Sequence, residues 1–271
     1  MWASVRSNIV SLCLGGTWTK LIPFLNLQAE KIFFRFFIYM KINKLFDFIL
    51  DIFFPKKCFG CQKEGEWLCD SCHVALEASK KQVCSVCKEV SSLGKTCVKC
   101  QKQIDLEALF RVFEFSDSQI IRKMIHAYKY KFVKDISVYL ANILSQEVPR
   151  EFFFEIDLIT SVPLHKKRYK ERGYNQAELM ARHLALKVGL EYQELLVRKK
   201  YTEVQMTLLR EERLKNIKNV FDFVASDSIE GQKILIIDDV ATTLATLNEC
   251  AEVLKKAGAR QVVGLVVARD D

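Results

Sequence analysis

Three groups of residues in this 271-residue chain carry side chains suited to chemistry. The first is Asp238-Asp239 followed by Val-Ala-Thr-Thr-Leu-Ala-Thr, ending at Thr246. Adjacent carboxylates accept hydrogen bonds from vicinal hydroxyls, while free amides and hydroxyls at a helix start hold a phosphate. A phosphorylated sugar would satisfy both halves; two solvated acids at a strand end would satisfy the carboxylates alone. The second group is eight cysteines in four pairs: Cys58 and Cys61, Cys69 and Cys72, Cys84 and Cys87, Cys97 and Cys100. A two-residue gap lets both sulfurs of a pair reach one tetrahedral ion, and couples of neighbouring pairs could close two knuckle-like zinc sites of four thiolates each. An interleaved pairing meets the same spacing. Disulfides would need an oxidising compartment, a thioredoxin-like motif explains one pair but not four, and an iron–sulfur site is the remaining alternative. Closed all-cysteine sites serve folding. His73 stands alone after Cys72 and reads as a surface residue. The third group is the basic run His165, Lys166, Lys167, Arg168, Lys170 and Arg172, closed by Asn175. A solvated charge run is one reading of it, and contact with a polyphosphate is the other.

These groups need elements to position them. Residues 234–237 are four consecutive aliphatics, which suits a strand covered on both faces of a parallel sheet and ending at the acids. A helix is expected after Thr246, and in open α/β sheets ligands bind where such strands end. Residues 156–162 form a second buried strand, and 164–176 are expected as a loop. Asn175 and Glu178 make a capping box for a helix carrying Leu179, Leu184 and Val188 and stopping at Gly189. Residues 108–115 alternate as a half-exposed strand. Residues 118–130 follow as an amphipathic helix with Ile120, Ile121, Met124, Ile125 and Tyr128 inside, then a helix through Val138, Leu140 and Leu144. Lys129-Tyr-Lys-Phe132 could stack on single-stranded nucleic acid, or be snorkelling lysines beside core aromatics. Residues 195–197 read as a short strand, and 198–213 as a lid or a surface helix with Leu208, Leu209 and Leu214. Residues 261–268 close the series as a buried strand. Repeated βα units of this kind define an α/β fold with a doubly wound parallel sheet, preceded by a small Cys-rich zinc-binding module.

The formal charge is +8, a modest excess that by itself identifies no nucleic-acid partner. Eight thiolates on two zinc ions would lower it to about +4. Residues 1–39 hold no uninterrupted apolar span of about 18 residues and no signal-peptide pattern. We expect no transmembrane segment, a cytoplasmic location, and a translation start at Met40, with 1–39 a non-native or disordered extension. The expected domains are then 40–104, a helix with Leu45, Phe46, Ile49, Leu50 and Phe53 on one face plus the zinc module, and 105–271, the α/β domain.

Residues 40–271 resemble the ComF (competence protein F, amidophosphoribosyltransferase-like) family, built on the type I phosphoribosyltransferase fold with an N-terminal double zinc ribbon. The resemblance lies in Phe54-Pro55 leading into the cysteine pairs, Val162-Pro-Leu-His165 with Arg168, residues 171–177 (Glu-Arg-Gly-Tyr-Asn-Gln-Ala), Thr202 with Gln205, Arg213 with Asn216, and Asp238-Asp239 onward. It implies that Asp238 and Asp239 bind the ribose hydroxyls of phosphoribosyl pyrophosphate, and that Thr242, Thr243, Ala245 and Thr246 wrap its 5-phosphate. It also implies that the loop with His165, Arg168, Arg172 and Asn175 faces pyrophosphate, and that 198–213 is a lid. Magnesium would accompany the ligand, and an active member would transfer phosphoribosyl to an acceptor this sequence does not identify. The family is associated with uptake of transforming DNA, which brings in single-stranded DNA and other competence proteins as partners, with or without catalysis. Two positions depart from the family pattern. Leu244 replaces a glycine after the paired threonines, where a positive φ would strain leucine. Asn219-Val220-Phe221 replaces Gly-Ala-Phe.

Overall fold

A computed structural model describes residues 55–79, 81–201 and 219–270. The described residues from Lys57 onward form one compact unit. The N-terminal amphipathic helix and most of the lid segment lie outside the described residues. The described elements are α1 (Asp70–Val74), β1 (Ala108–Glu114), α2 (Gln119–Tyr130), α3 (Ile136–Glu147), β2 (Leu158–Ser161), α4 (Lys166–Arg172), α5 (Gln176–Val188), β3 (Glu191–Tyr192), β4 (Leu196–Arg198), β5 (Phe221–Phe223), β6 (Lys233–Ala241), α6 (Ala245–Lys256) and β7 (Gln261–Arg269).

Five strands make an all-parallel sheet in the order β1-β7-β6-β2-β3. The aliphatic run of β6 alternates between two cores, as side chains on a strand must. Leu235 and Ile237 pack with Met124 and Ile125 of α2, Leu140 and Leu144 of α3 and Met180 and Leu184 of α5. Ile234 and Ile236 pack with Leu247, Cys250 and Leu254 of α6 and with Leu196 and Phe221. Those last two residues belong to a separate antiparallel ribbon, β4 with β5. Helices on both faces make the sheet doubly wound, as the sequence pattern implied. The chain leaves β2 toward β3 and leaves β6 toward β7, so the winding direction reverses between β2 and β6. Their carboxyl ends therefore flank the crevice where such sheets bind ligands. No described helix is long and apolar enough to cross a membrane.

Four local expectations are corrected. The strand β1 is not half-exposed but buried almost throughout, because residues 79–96 cover its outer edge. The Ser79 and Thr96 amides donate to the Val112 and Glu107 carbonyls at 2.7 Å. Gln82 bonds both the amide and the carbonyl of Arg111, at 3.1 and 2.9 Å. Gly94 lies so close that a Cβ there would meet the Leu109 carbonyl oxygen at 2.1 Å. The unpaired edge of a sheet is thereby closed. Residues 166–172 are helical rather than loop, since the Nδ1 of His165 accepts the Lys167 amide at 3.1 Å and Gly173 ends the helix at φ 76°. Val138 is exposed, and α3 buries Ile136 and Ile143 instead. Asn175 occupies the N-cap position of α5 without bonding its amides. Its Nδ2 donates to the Val162 carbonyl at 3.0 Å, and Glu178 pairs with Arg182 at 3.0 Å, so no capping box forms.

Candidate functional site

The cysteines settle into two quartets, Cys58/Cys61/Cys69/Cys72 and Cys84/Cys87/Cys97/Cys100, with all four sulfurs of each quartet within 4.8 Å of one another. The sequential pairing is thus realised and the interleaved one is not. Tetrahedral Zn–S bonds of about 2.3 Å imply S···S separations of about 3.8 Å. Cys58 and Cys69 stand at 3.7 Å, Cys61 and Cys69 at 3.6 Å, and Cys87 and Cys97 at 3.6 Å. The donor set and its geometry fit zinc. The Cys69 and Cys97 amides donate to the sulfurs of Cys58 and Cys84 at 3.5 and 3.4 Å. Burial pushes these two thiols up, but backbone N–H donors outweigh it and bring both down to about 6. His73 belongs to neither quartet. Four sulfurs in each set leave no position for a substrate, so the quartets are structural.

At the carboxyl end of the sheet, β6 continues two residues beyond Asp239, whereas its pairing with β2 stops at Ser161 opposite Ile237. The acids therefore lie within the strand, flanked by β7 alone, and the turn begins only at Thr242. Strand alternation places them on opposite faces: Asp238 follows Ile236, and Asp239 follows Ile237. Asp239 is buried and its Oδ1 lies 2.8 Å from the Lys129 ammonium. Asp238 is half-buried, and its Oδ1 accepts the Asp239 amide at 2.8 Å. Burial, reinforced by the Asp239 carboxylate, pushes the Asp238 carboxyl up to about 7, against the pull of Lys129 and Arg198. For Lys129, burial acts to lower the pKa, but the field and hydrogen bond of Asp239 outweigh it and leave the ammonium above its ordinary value.

The threonine turn leads straight into α6. Thr242 is exposed, and Thr243, Ala245 and Thr246 are half-buried. Leu244 sits at the N-cap with φ −70° and ψ −12°, in the right-handed region, and no side chain caps the helix. The strain a positive φ would bring is absent, and the leucine side chain packs against the second core. The helix start carries no side-chain cap on its amides, and a helix start of this kind is where an anion can bind. Asn219 has φ 57°. Asparagine is among the few residues that enter this region readily, so it keeps the backbone option of the glycine it replaces.

The basic helix α4 follows the carboxyl end of β2 after four residues. The His165 and Tyr201 rings meet at a tilt of 58° with centroids 5.2 Å apart, and the Lys167 ammonium lies 4.4 Å from the Tyr201 centroid. Arg168 lies 5.8 Å from the same ring. Burial, then the nearby Arg168, lowers the pKa of Arg198, which also feels Asp238. Arg172 donates to the Gln176 Oε1 at 2.6 Å and lies 5.8 Å from the Tyr130 ring. His165, Arg168 and Arg198 thus cluster on the Asp238 side, while Arg172 turns toward α2. Lys129 and Arg198 were not among the expected site residues. Lys129 carried a signal, because it continues the buried i, i+4 row of Ile121 and Ile125, where a lysine needs an acidic partner.

Comparison with known proteins agrees with this architecture. Residues 133–271 match the phosphoribosyl transferase domain family, and residues 49–104 match the double zinc ribbon domain. The chain is 30% identical over 216 residues to the DNA utilization protein YhgH of Salmonella typhimurium, covering 72% of this chain and 93% of that one. It is 27% identical over 209 residues to competence protein F of Haemophilus influenzae (76% and 86% covered), and 29% identical over 220 residues to competence protein ComFC of Streptococcus pneumoniae (76% and 84% covered). With a phosphoribosyl transferase domain over half of its length and a double zinc ribbon ahead of it, the chain belongs to the phosphoribosyltransferase domain family and within it to the ComF group of double-zinc-ribbon proteins.

Proposed function

We propose that the chain binds phosphoribosyl pyrophosphate at the carboxyl edge of the sheet and transfers its phosphoribosyl group to an acceptor, in the cytoplasm and in the service of DNA uptake. The observation that carries this reading is the uncapped start of α6 directly after the two acids of β6. The 5-phosphate sits on the amides and hydroxyls of residues 242–246, and the ribose hydroxyls donate to Asp238 and Asp239. The pyrophosphate, with its magnesium ion, faces His165 and Arg168. Departure of pyrophosphate leaves an oxocarbenium-like ribose, and basic side chains held in the crevice stabilise the charge on the leaving group. Displacement at the anomeric carbon then needs no protein nucleophile. Magnesium, bound to the pyrophosphate, neutralises part of that leaving charge.

Calorimetry with the magnesium complex of phosphoribosyl pyrophosphate tests the reading. Wild type should bind, and Asp239→Asn should bind at least about tenfold more weakly, the loss of one charge-assisted hydrogen bond. No heat with wild type, or equal heat with the variant, would sink it.

A second reading, a single-stranded-DNA-binding competence factor, draws support from Tyr130 and Phe132, which are 57% and 58% exposed, with the Arg172 guanidinium beside the Tyr130 ring. Exposed aromatics next to cations stack bases regardless of sequence. Affinity for an oligonucleotide should fall steeply with salt and weaken with Tyr130→Ala; salt-independent binding would count against it.

A further inference from the structure

The acid pair belongs to the family motif, but the cation that holds it comes from a different part of the chain. Lys129 is in the last turn of α2, and its ammonium lies 2.8 Å from Asp239, with only 24% of the lysine side chain and 8% of the aspartate side chain exposed. The residue before Lys129 is clasped twice. The Tyr128 hydroxyl donates to the Gln176 carbonyl at 2.8 Å, and the Tyr174 hydroxyl donates to the Tyr128 carbonyl. Both phenols are buried, and the bonds run in opposite directions between the end of α2 and the start of α5. A flexible lysine is thereby given a fixed base from which to reach β6.

The geometry points to Lys129 as a positioning residue for the acid pair: it pins the Asp239 carboxylate on the face of α2, α3 and α5 and supplies positive charge to both acids, with Tyr128 and Tyr174 fixing where it stands. This rests on the phosphosugar reading of the site and extends it. Tyr174, within the motif of residues 171–177, then acts through α2 instead of touching pyrophosphate. Among the described residues, the titratable groups whose fields reach Asp238 include Asp239 on its own strand, Lys129 from α2, Arg198 from β4 and Cys250 from α6. Lys129 and Arg198 draw its carboxyl toward ionisation, while burial and Asp239 oppose them. Removing the lysine charge therefore leaves two adjacent carboxylates with less compensation.

The test uses the full, zinc-loaded chain with carbon-13 at aspartate carboxyls, assigned through Asp238→Asn and titrated by NMR from pH 4.5 to 9 without ligand. In wild type the Asp238 signal should titrate near 7; Lys129→Met and Lys129→Gln should move it upward by at least half a pH unit, about a threefold change in the proton equilibrium, and Lys129→Arg should restore it. An unmoved Asp238 midpoint in the Gln and Met variants would overturn the proposal whatever the ligand does. Gln, which keeps a hydrogen bond without the charge, decides the matter if Met does not fold.

Calorimetry with magnesium phosphoribosyl pyrophosphate is the second readout. Lys129→Gln should lose affinity at least about tenfold at pH 6.5 and less at pH 8.5, and Tyr174→Phe should lose a smaller factor in the same direction. A loss that is equal at both pH values, or absent, contradicts the positioning role. Absence of binding in wild type together with a shifted Asp238 midpoint would reject the phosphosugar reading and leave Lys129 as the residue that positions the acids.

Discussion

The two cysteine quartets and the acid pair of β6 are both clusters of ionisable groups on short sequence spacings, yet they are built in opposite ways. Each quartet is closed: four sulfurs face one point, and local backbone amides support the thiolates. The acid site is open: its two carboxylates diverge to opposite faces, its cation comes from a distant helix, and the helix start beside it has no side-chain cap. A closed set gives its energy to folding, while an open one keeps donors and acceptors for something that arrives. The closed set also serves the open one, because the cysteine module covers the edge of β1. In addition, the Arg269 guanidinium, at the end of β7, donates to the Ser85 carbonyl at 2.9 Å.

The largest effect that sharpens this contrast should come from zinc. Stripping the metal with a strong chelator should release two ions per chain and lower the melting temperature by more than about 10 °C, since the binding energy of a structural site is folding energy. Release of zinc without loss of stability would break the contrast.

The next effect concerns pH. The Asp238 carboxyl, raised by burial to about 7, keeps its proton in the fold at pH values where an unfolded aspartate has lost it. Its ionisation therefore costs the fold stability as pH rises from about 4 toward 7. A ligand that needs the carboxylate must displace that proton. Affinity for the magnesium complex should climb between pH 6 and 8, approaching about tenfold per unit well below 7. Asp238→Asn should flatten that climb, as a calorimetric pH series would reveal.

Smaller effects are expected at the two departures from the family pattern. Leu244→Gly should cost stability on the order of 1 kcal/mol by adding glycine to a helix start and removing an apolar contact. It should change ligand affinity less than about threefold. A large gain in affinity would show that leucine obstructs the turn. Asn219→Gly should be nearly neutral in thermal unfolding, and Asn219→Ala should lose about 1 kcal/mol, because φ is positive there.

What could be read from the sequence followed the same division. The cysteine spacing is a local property, and it carried the quartets; the aliphatic run of residues 234–237 carried the two-sided burial of β6. The parts that depended on distant partners were hidden. Burial of β1 comes from Gln82, 29 residues away from Arg111. Asn175 gives up its capping role because the Val162 carbonyl competes for its side chain. The basic run 166–172 has no apolar stripe to betray a helix, and its start depends on a histidine cap. The divergence of the acids follows from a strand that runs to Ala241, where the residues alone suggested that the turn began at the acids. The concern over Leu244 assumed a left-handed backbone, and the helix begins without one.

Hydrogen exchange on the zinc-loaded chain, with and without magnesium phosphoribosyl pyrophosphate, tests the central claim most directly. Amides of residues 242–247 should exchange more slowly by a factor of about ten or more when the ligand is present, while those of residues 58–100 stay unchanged. Unaltered exchange in the threonine turn, or protection confined to the cysteine module, would contradict the assignment of the open end of the sheet as the ligand site.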